Sequence, residues 1–180
     1  MPVLMPLRTP RLTLRPVAHA DAEMLWALWE DPAVFAWVGD GSVPSLESVQ
    51  LAASRYEACW VDHGWGPLMA IRTADGAELG ACGLFPVAGD DGVLTGEIEL
   101  GHRYSREFWG QGYAGEAARE VMRWAARDLG LTELVSIIQE PNTASRRIAE
   151  SCGFELAGTR ERTRGERSYR VCWYRWRTQA

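Results

Sequence analysis

The pattern of apolar and polar residues divides the first third of the chain into one strand and two helices. Residues 11–16 alternate between polar and apolar side chains, which predicts a half-buried strand that ends at a proline. Residues 20–31 and 45–62 repeat their apolar positions every three to four residues, which predicts two amphipathic helices. The loop between these helices, residues 35–44, carries Trp37.

From residue 67 onward the apolar period falls to two. The segments 67–73, 78–85 and 96–104 are predicted strands, and the turns at Asp75-Gly76 and at residues 89–92 make them an antiparallel meander. A helix at 113–128, a strand at 133–139, a short helix capped by Asn142 and strands at 154–159 and 169–177 follow. The resulting order, βααβββαβαββ, predicts an α/β fold in one domain, 1–180. Its central sheet is mixed and mostly antiparallel and is flanked by about four helices.

Charge and hydropathy exclude several classes of protein. The net charge is −5, and all 19 basic residues are arginines. Residues 1–145 carry 10 arginines and 20 acids, whereas residues 146–180 carry nine arginines and four acids. An acidic chain is a poor nucleic-acid binder, no apolar run approaches the roughly 20 residues of a membrane span, and residues 1–11 do not match a signal peptide. We therefore expect a cytoplasmic protein without a nucleic-acid or membrane partner.

The four cysteines predict neither a metal site nor disulfides. Cys59, Cys82, Cys152 and Cys172 are far apart in sequence, and no histidine stands beside them. Metal sites and disulfide frameworks usually show short, regular cysteine spacings. We expect four buried, reduced thiols and no bound metal.

The chemistry is concentrated in a glycine-rich segment between a predicted strand and a predicted helix. Gly110, Gly112 and Gly115 allow backbone N–H groups to converge on an anion, and the helix N-terminus adds partial positive charge. The segment is not followed by the acidic residue that a dinucleotide fingerprint has on a second parallel strand. It also lacks the Lys-Ser/Thr pair of a nucleotide-triphosphate loop. It predicts a phosphate cradle, and a glycine-rich turn without a ligand is the alternative.

Four separated segments between residues 9 and 154 are short motifs rather than periodic patterns. They are Thr9-Pro10-Arg11-Leu12-Thr13-Leu14-Arg15-Pro16, Glu99-Leu100-Gly101, Trp109-Gly110-Gln111-Gly112-Tyr113-Ala114 with Glu116-Ala117, and Asn142-Thr143-Ala144-Ser145-Arg146-Arg147 with Glu150-Ser151-Cys152-Gly153-Phe154. In this order they resemble the motifs of the GNAT superfamily of acyl-CoA-dependent N-acetyltransferases. Within it, the chain resembles the branch of the ribosomal-protein-alanine acetyltransferases (RimJ/RimL-like).

The resemblance implies an N-acetyltransferase with acetyl-CoA as cosubstrate and no metal. It implies that Glu99 and Ser145 are catalytic and that Trp37 and Glu99 bind the acceptor. The cofactor-binding residues that it implies are His102, Arg103, Tyr104, Trp109, Gly110, Gln111, Gly112, Tyr113, Ala114, Gly115, Asn142, Ser145 and Arg147. Two positions depart from the superfamily. Glu107 replaces an Arg or Gln at the start of the loop, and Ala149 replaces a proton-donating tyrosine. Ser145 takes the tyrosine's role in this branch.

The reaction itself needs a base and an acid. An amine with a pKa near 10 must lose a proton before it attacks, and the departing thiolate gains from a proton donor. Glu97 and Glu99 face the same side of their strand. We expect Glu99 to be the base and Glu97 to be solvated or paired with an arginine. His102 is a candidate to share the base's role, and Ser145 has the alternative of bonding only backbone.

The acceptor is expected to be a primary amine, either a small molecule or a protein N-terminus. Asp40, Asp90 and Asp91 fall in loops expected near the acceptor mouth, which favours cationic amines. A non-catalytic sensor that binds acyl-CoA is the alternative function. The final strand, residues 169–176, is expected at a sheet edge, where it could pair with a second copy in a homodimer.

Overall fold

The computed structural model describes residues 6–164 and 167–178, and these form one eight-stranded sheet with helices on both faces. The strands are β1 (Leu7–Arg8), β2 (Leu12–Pro16), β3 (Pro67–Arg72), β4 (Glu78–Ala88), β5 (Leu94–Tyr104), β6 (Glu133–Gln139), β7 (Glu155–Arg164) and β8 (Arg167–Arg177). The helices are α1 (Ala22–Trp29), α2 (Pro32–Phe35), α3 (Leu46–His63), α4 (Tyr113–Arg127) and α5 (Thr143–Ser151).

The strand order is β1-β2-β3-β4-β5-β6-β8-β7. Every neighbouring pair is antiparallel except β5 and β6, which are parallel and are connected through α4. The predicted α/β fold, the meander and the β-α-β crossover are therefore confirmed. The short elements β1 and α2 were missed because two and four residues are too few to show a period. Pro32 and the Asp31 cap, which accepts a hydrogen bond from the Ala33 N–H at 2.8 Å, are the local signals for α2.

The sheet separates two hydrophobic cores. In β3, Leu68 and Ala70 pack into the core under α4, whereas Met69 packs into the core under α1 and α3. Side chains alternate along a strand, so a strand covered on both faces is apolar at every position. This is why β3 has a continuous apolar run rather than an alternating one.

The last strand does not lie at a sheet edge, and that prediction was wrong. Residues 171–177 of β8 pair with β6, and β8 pairs with β7 on its other side, so β7 is the strand at this edge. The chain enters β7 from α5, turns back and places β8 in the interior. Burial of residues 171–174 gives β8 the aromatic and apolar composition that suggested an exposed pairing surface.

Candidate active site

A gap between β5 and β6 lies at the centre of the sheet. The two parallel strands share one registered pair, Glu99 and Val135. Next to this pair, hydrogen bonds between the side chain of one strand and the backbone of the other connect β5 and β6. The Ile137 N–H donates to Glu99 Oε1 at 3.2 Å, and Ser136 Oγ donates to the Leu100 carbonyl at 3.1 Å. Because backbone pairing stops at this point, a cleft runs between the two strands.

The α4–α5 side of the cleft is narrow and mostly apolar. Its lining residues are Leu100, His102, Ala118, Ser136, Ile148, Ala149, Cys152 and Phe154. Ala149 is buried there, which leaves the position without a proton donor.

The four cysteines differ in burial. Cys59 and Cys152 are only partly buried, so the prediction of four buried thiols was wrong for these two, whereas all four thiols are free as predicted.

The glycine loop stands at the end of β5 and begins α4. Gly110 and Gly112 have φ of 73° and 80°, a left-handed conformation that favours glycine. The Trp109 Nε1–H donates to the Tyr104 carbonyl at 2.8 Å and ties the loop to β5. The N–H groups of the first turn of α4, beginning at Tyr113, have no acceptor within the helix and face outward from its N-terminus. This geometry suits a phosphate group.

A clamp from β1 and β2 holds the loop in place. Glu116, in the first turn of α4, accepts hydrogen bonds from Thr9 Oγ1 at 2.6 Å and from Arg11 Nε at 2.7 Å. Arg11 also donates to the Gln111 carbonyl at 3.0 Å and stacks over the Tyr113 ring. Burial opposes ionisation of Glu116, but the bonds from Thr9 and Arg11 outweigh it and lower its pKa. Two separate sequence motifs therefore serve one loop.

The start of α5 brings Asn142 and Ser145 to the cleft. Asn142 Oδ1 caps the helix by accepting from the Ser145 N–H at 3.1 Å. Ser145 Oγ lies 3.5 Å from His102 Nε2. Arg146 is structural, since it donates to the Tyr174 hydroxyl and to the Glu140 carbonyl, both at 3.1 Å. Arg147 is exposed, and no described residue bonds its side chain, so its role as a phosphate contact stays a prediction.

His102 is a neutral imidazole at neutral pH. Burial, assisted by the charge of Arg103, lowers the pKa of His102 to about 4. Near pH 7 one nitrogen of its ring therefore has no proton, and a ring nitrogen in that state can accept a hydrogen bond from the Ser145 hydroxyl.

Glu99 is the carboxyl group with a pKa suited to proton transfer. Burial raises its pKa to about 7, although the Ile137 N–H and the charges of Arg162 and Arg103 lower it in part. Glu97 is paired with Arg175 at 2.9 Å, as expected. The two acids share a strand face and differ in their surroundings, because the Glu99 carboxylate lies against β6 in the gap, whereas Glu97 is paired with Arg175.

Two of the candidate cofactor residues on β5 are placed differently from one another. Tyr104 is buried in the core with α4, and its carbonyl accepts from Trp109. The Arg103 side chain lies on the opposite face, against Trp29 and Phe35. Only the backbone of Arg103 can contribute to a cofactor site on the α4 side.

Two loops, the end of β6 and the β7–β8 hairpin meet on the other side of the gap. The Gln139 Nε2–H donates to the Gly39 carbonyl at 2.9 Å, and Arg167 donates to the Asp40 carbonyl. Arg162 pairs with Asp90 at 2.9 Å. Trp37 is 40% exposed on this side. Arginines of the hairpin lie beside Asp40 and Asp90, so this side carries charges of both signs, and the preference for cationic amines stays a prediction. Gln139 and Arg162 were missed, since no local pattern predicts contacts with residues 100 and 72 positions away.

Residues 6–164 and 167–178 contain no group of three or more His, Cys, Asp or Glu side chains that could hold a metal ion. No helix among them combines the length and apolar character needed to cross a membrane.

Comparison with known proteins identifies the family. The model of the acetyltransferase (GNAT) domain matches residues 11–155. The chain belongs to the GNAT acetyltransferase family. This confirms the prediction of an acetyl-CoA-dependent N-acetyltransferase and does not favour a non-catalytic sensor.

Individual relatives agree with this assignment. The FsC-acetyl coenzyme A-N(2)-transacetylase of Aspergillus fumigatus is 34% identical over 151 residues, which are 82% of this chain and 63% of that protein. The chain thus spans less than two thirds of that relative. A crystal structure of an acetyltransferase from Agrobacterium tumefaciens is 30% identical, with a TM-score of 0.79 over 98% of this chain and 96% of that chain.

The RimL ribosomal L7/L12 alpha-N-protein acetyltransferase, solved in complex with coenzyme A, shares the fold. Its TM-score is 0.78 at 17% identity, over 96% of this chain and 98% of that chain. The shared GNAT fold fits the RimJ/RimL-like branch that the motifs predicted.

Proposed function

We propose that this GNAT protein moves an acetyl group from acetyl-CoA to a primary amine by direct attack in a ternary complex. The observation that carries the proposal is the position of Glu99, whose raised pKa and place in the gap suit a base on the acceptor side. The phosphate-binding geometry of the Gly112 loop stands at the end of the same strand. One strand therefore joins the two halves of the reaction.

The cofactor's place follows from the residues that fit it. The first turn of α4 and the glycine loop would hold the pyrophosphate, with Arg147 as an additional phosphate contact. The apolar cleft beside His102 and Asn142 suits the cofactor's arm. When bound, acetyl-CoA supplies the acetyl thioester.

The chemical steps are assigned to two side chains. Glu99 takes a proton from the attacking amine, directly or through water, while the new N–C bond forms. Ser145 donates a hydrogen bond to the sulfur as the C–S bond breaks, which stabilises the departing thiolate until it takes a proton from solvent. Ser145 is supported by its distance of 3.5 Å from neutral His102, which fixes the hydroxyl at the cleft. Trp37 lies on the acceptor side and is proposed to contact the amine.

The acceptor is a small-molecule amine or a protein N-terminus. The relative that is 34% identical is named for an N(2) position, whereas RimL, at 17% identity, is named for a protein alpha-amino group. A homodimer stays a prediction, and if a sheet edge forms it, β1 or β7 is the strand that pairs.

Thiol release with a panel of amines tests the activity, and calorimetry with acetyl-CoA tests binding separately. We expect tight acetyl-CoA binding, turnover with at least one amine, and intersecting initial-velocity lines when both substrates are varied. Binding without turnover on any amine would instead support a sensor.

Ser145→Ala should lower kcat at pH 7 by less than the 10²–10⁴-fold typical of a general acid or base, because a thiolate leaves tolerably without a donor. That loss should shrink as the pH rises. A silent Ser145→Ala would make the serine a capping partner alone.

A further inference from the structure

Arg103 is a partly buried cation that the reaction described above does not use. Its guanidinium carbon lies 4.5 Å from the centre of the Trp29 ring and 4.4 Å from that of Phe35. Its Nε atom is buried and has no hydrogen-bond partner. Among the described residues, no carboxylate oxygen lies within the 4.0 Å of an ion pair. The Arg103 guanidinium group therefore lacks both a carboxylate partner and a hydrogen-bond acceptor for its Nε–H among the described residues.

An arrangement of this kind is costly unless something compensates for it. Removing part of an ion's hydration is unfavourable, and contact with two aromatic faces offsets only part of that cost. Burial lowers the pKa of Arg103, and the neighbouring Tyr56 hydroxyl and Glu99 raise it only in part. An anion from outside the chain would complete the site.

The cofactor's phosphates do not fit this role. His102 and Tyr104 face α4 and the cofactor cleft, whereas Arg103 and Glu99 face α1 and α3 because side chains alternate along β5. Arg103 therefore lies on the acceptor side. Glu99 does not form an ion pair with Arg103, and its carboxylate accepts the Ile137 N–H instead.

We propose that Arg103 binds an oxyanion carried by the acceptor, so that the preferred substrates are amines that also bear a carboxylate or a phosphate. The amine would lie at Glu99 and the oxyanion at the guanidinium, whose donors suit bidentate binding of either group. The Cα atoms of Glu99 and Arg103 are four residues apart along β5, which is roughly 13 Å. Because both side chains are long, the carboxylate and the guanidinium can lie closer together than this, at the distance between the amine and the carboxylate of a short peptide. This inference rests on the proposed function and specifies its acceptor.

Matched acceptors test the proposal. Glycine, diglycine and triglycine are compared with their carboxamides, and phosphoethanolamine with ethanolamine, by thiol release at pH 9, where Glu99 is ionised. Rates are expressed per concentration of free amine. We expect kcat/KM to be at least tenfold higher for one anionic acceptor than for its neutral partner. The length of the best peptide reports the distance from Glu99 to Arg103, and the phosphate arm distinguishes the two oxyanions.

Variants assign the preference to Arg103. In Arg103→Met the ratio of anionic to neutral kcat/KM should fall at least tenfold, to about one, and Arg103→Lys should recover part of it. Arg127→Met removes an equal charge from the exposed end of α4 and should keep the wild-type ratio. If Arg103→Met does not fold, Arg103→Gln and Arg103→Lys provide the same comparison.

The outcomes separate this inference from the proposed function. Turnover of neutral and anionic amines with equal kcat/KM would overturn the role of Arg103 and leave the acetyltransferase intact. An equal loss for both kinds of acceptor in Arg103→Met would overturn it as well. Absence of turnover with every amine would overturn the proposed function itself, and the role of Arg103 with it.

Discussion

At the scale of single residues, burial decides which carboxyl group can act as a base. A carboxyl group with the ordinary pKa of 4.5 is a weak acceptor for an amine's proton at neutral pH, whereas Glu99, at about 7, is matched to it. Glu97 is two residues away on the same face, and Arg175 keeps it as an ordinary ion pair. The difference arises from the gap between β5 and β6.

Replacing Glu99 tests its role as the base. Glu99→Gln keeps the acceptor atom for the Ile137 N–H but removes the titrating group, so kcat should fall by about 10²–10⁴-fold at pH 7 with acetyl-CoA affinity nearly unchanged. In the wild type, activity should rise with pH through a midpoint near 7, because only the ionised carboxylate accepts a proton. Initial rates from pH 5 to 9 and calorimetry measure both. Wild-type kcat in Glu99→Gln would leave Glu97, His102 or water as the base.

The same substitution predicts a change in stability. The folded chain keeps the Glu99 proton up to about pH 7, whereas the unfolded chain releases it near 4.5, so stability falls as the pH rises between these values. Glutamine has no such dependence. Glu99→Gln should therefore gain stability relative to wild type between pH 5 and pH 8 in urea unfolding. A difference that is constant with pH would show that Glu99 is not raised in pKa.

At the scale of elements, the N-terminus of α4 is assembled from three parts of the chain. The glycine loop supplies the backbone conformation, Trp109 ties it to β5, and Thr9 and Arg11 tie it to the β1–β2 turn through Glu116. A carboxylate beside a phosphate site would repel the ligand. Arg11 pairs with it and leaves the helix end positive.

Gly112 is the position at which this assembly is most sensitive. A side chain there meets a φ of 80° and the approach of a phosphate, so Gly112→Val should weaken acetyl-CoA binding at least tenfold, about 1.4 kcal/mol. Gly130→Val is the matched control. Gly130 has a φ of 68° and open space around it, beyond the far end of α4. Calorimetry on both folded variants should show a loss for Gly112→Val alone, and equal affinities would remove the phosphate cradle.

The clamp predicts coupled rather than independent effects. Arg11→Ala and Glu116→Gln should each weaken acetyl-CoA binding several-fold, because each releases the loop. The double variant should be no weaker than the worse single variant, with a coupling energy of about 0.5–3 kcal/mol for residues in one network. Binding titrations of all four proteins measure this cycle. Additive losses would show that the two side chains act separately.

At the scale of the whole molecule, the β7–β8 hairpin joins the arginine-rich end of the chain to its acidic remainder. Arg162 pairs with Asp90 of the β4–β5 turn and bonds the Ala88 carbonyl at 2.7 Å. Its charge also acts on Glu99. The uneven charge along the sequence thus becomes local pairing in the fold.

This connection should be visible in the pH dependence of catalysis. Removing the positive charge in Arg162→Gln makes ionised Glu99 less stable, so the midpoint of the pH–rate profile should move upward from about 7. Arg160→Gln is the control, since Arg160 stacks over Trp173 and does not act on Glu99. A midpoint that stays in place or moves down in Arg162→Gln would show that the hairpin is not coupled to the base.

The sequence by itself determined the elements, the family and most of the candidate residues. Strands and helices follow from the period of apolar positions, and the four motifs follow from short-range spacing, so both are readable along the chain. The tertiary structure alone decided that β8 is interior, that Arg103 turns away from the cofactor, and that hairpin arginines lie beside the acids of the acceptor loops. It also gave the physical reason for the predicted difference between Glu99 and Glu97, which is the place of Glu99 in the gap and the pairing of Glu97 with Arg175. These properties depend on contacts between residues distant in sequence and on burial in a gap between strands, which no local pattern specifies.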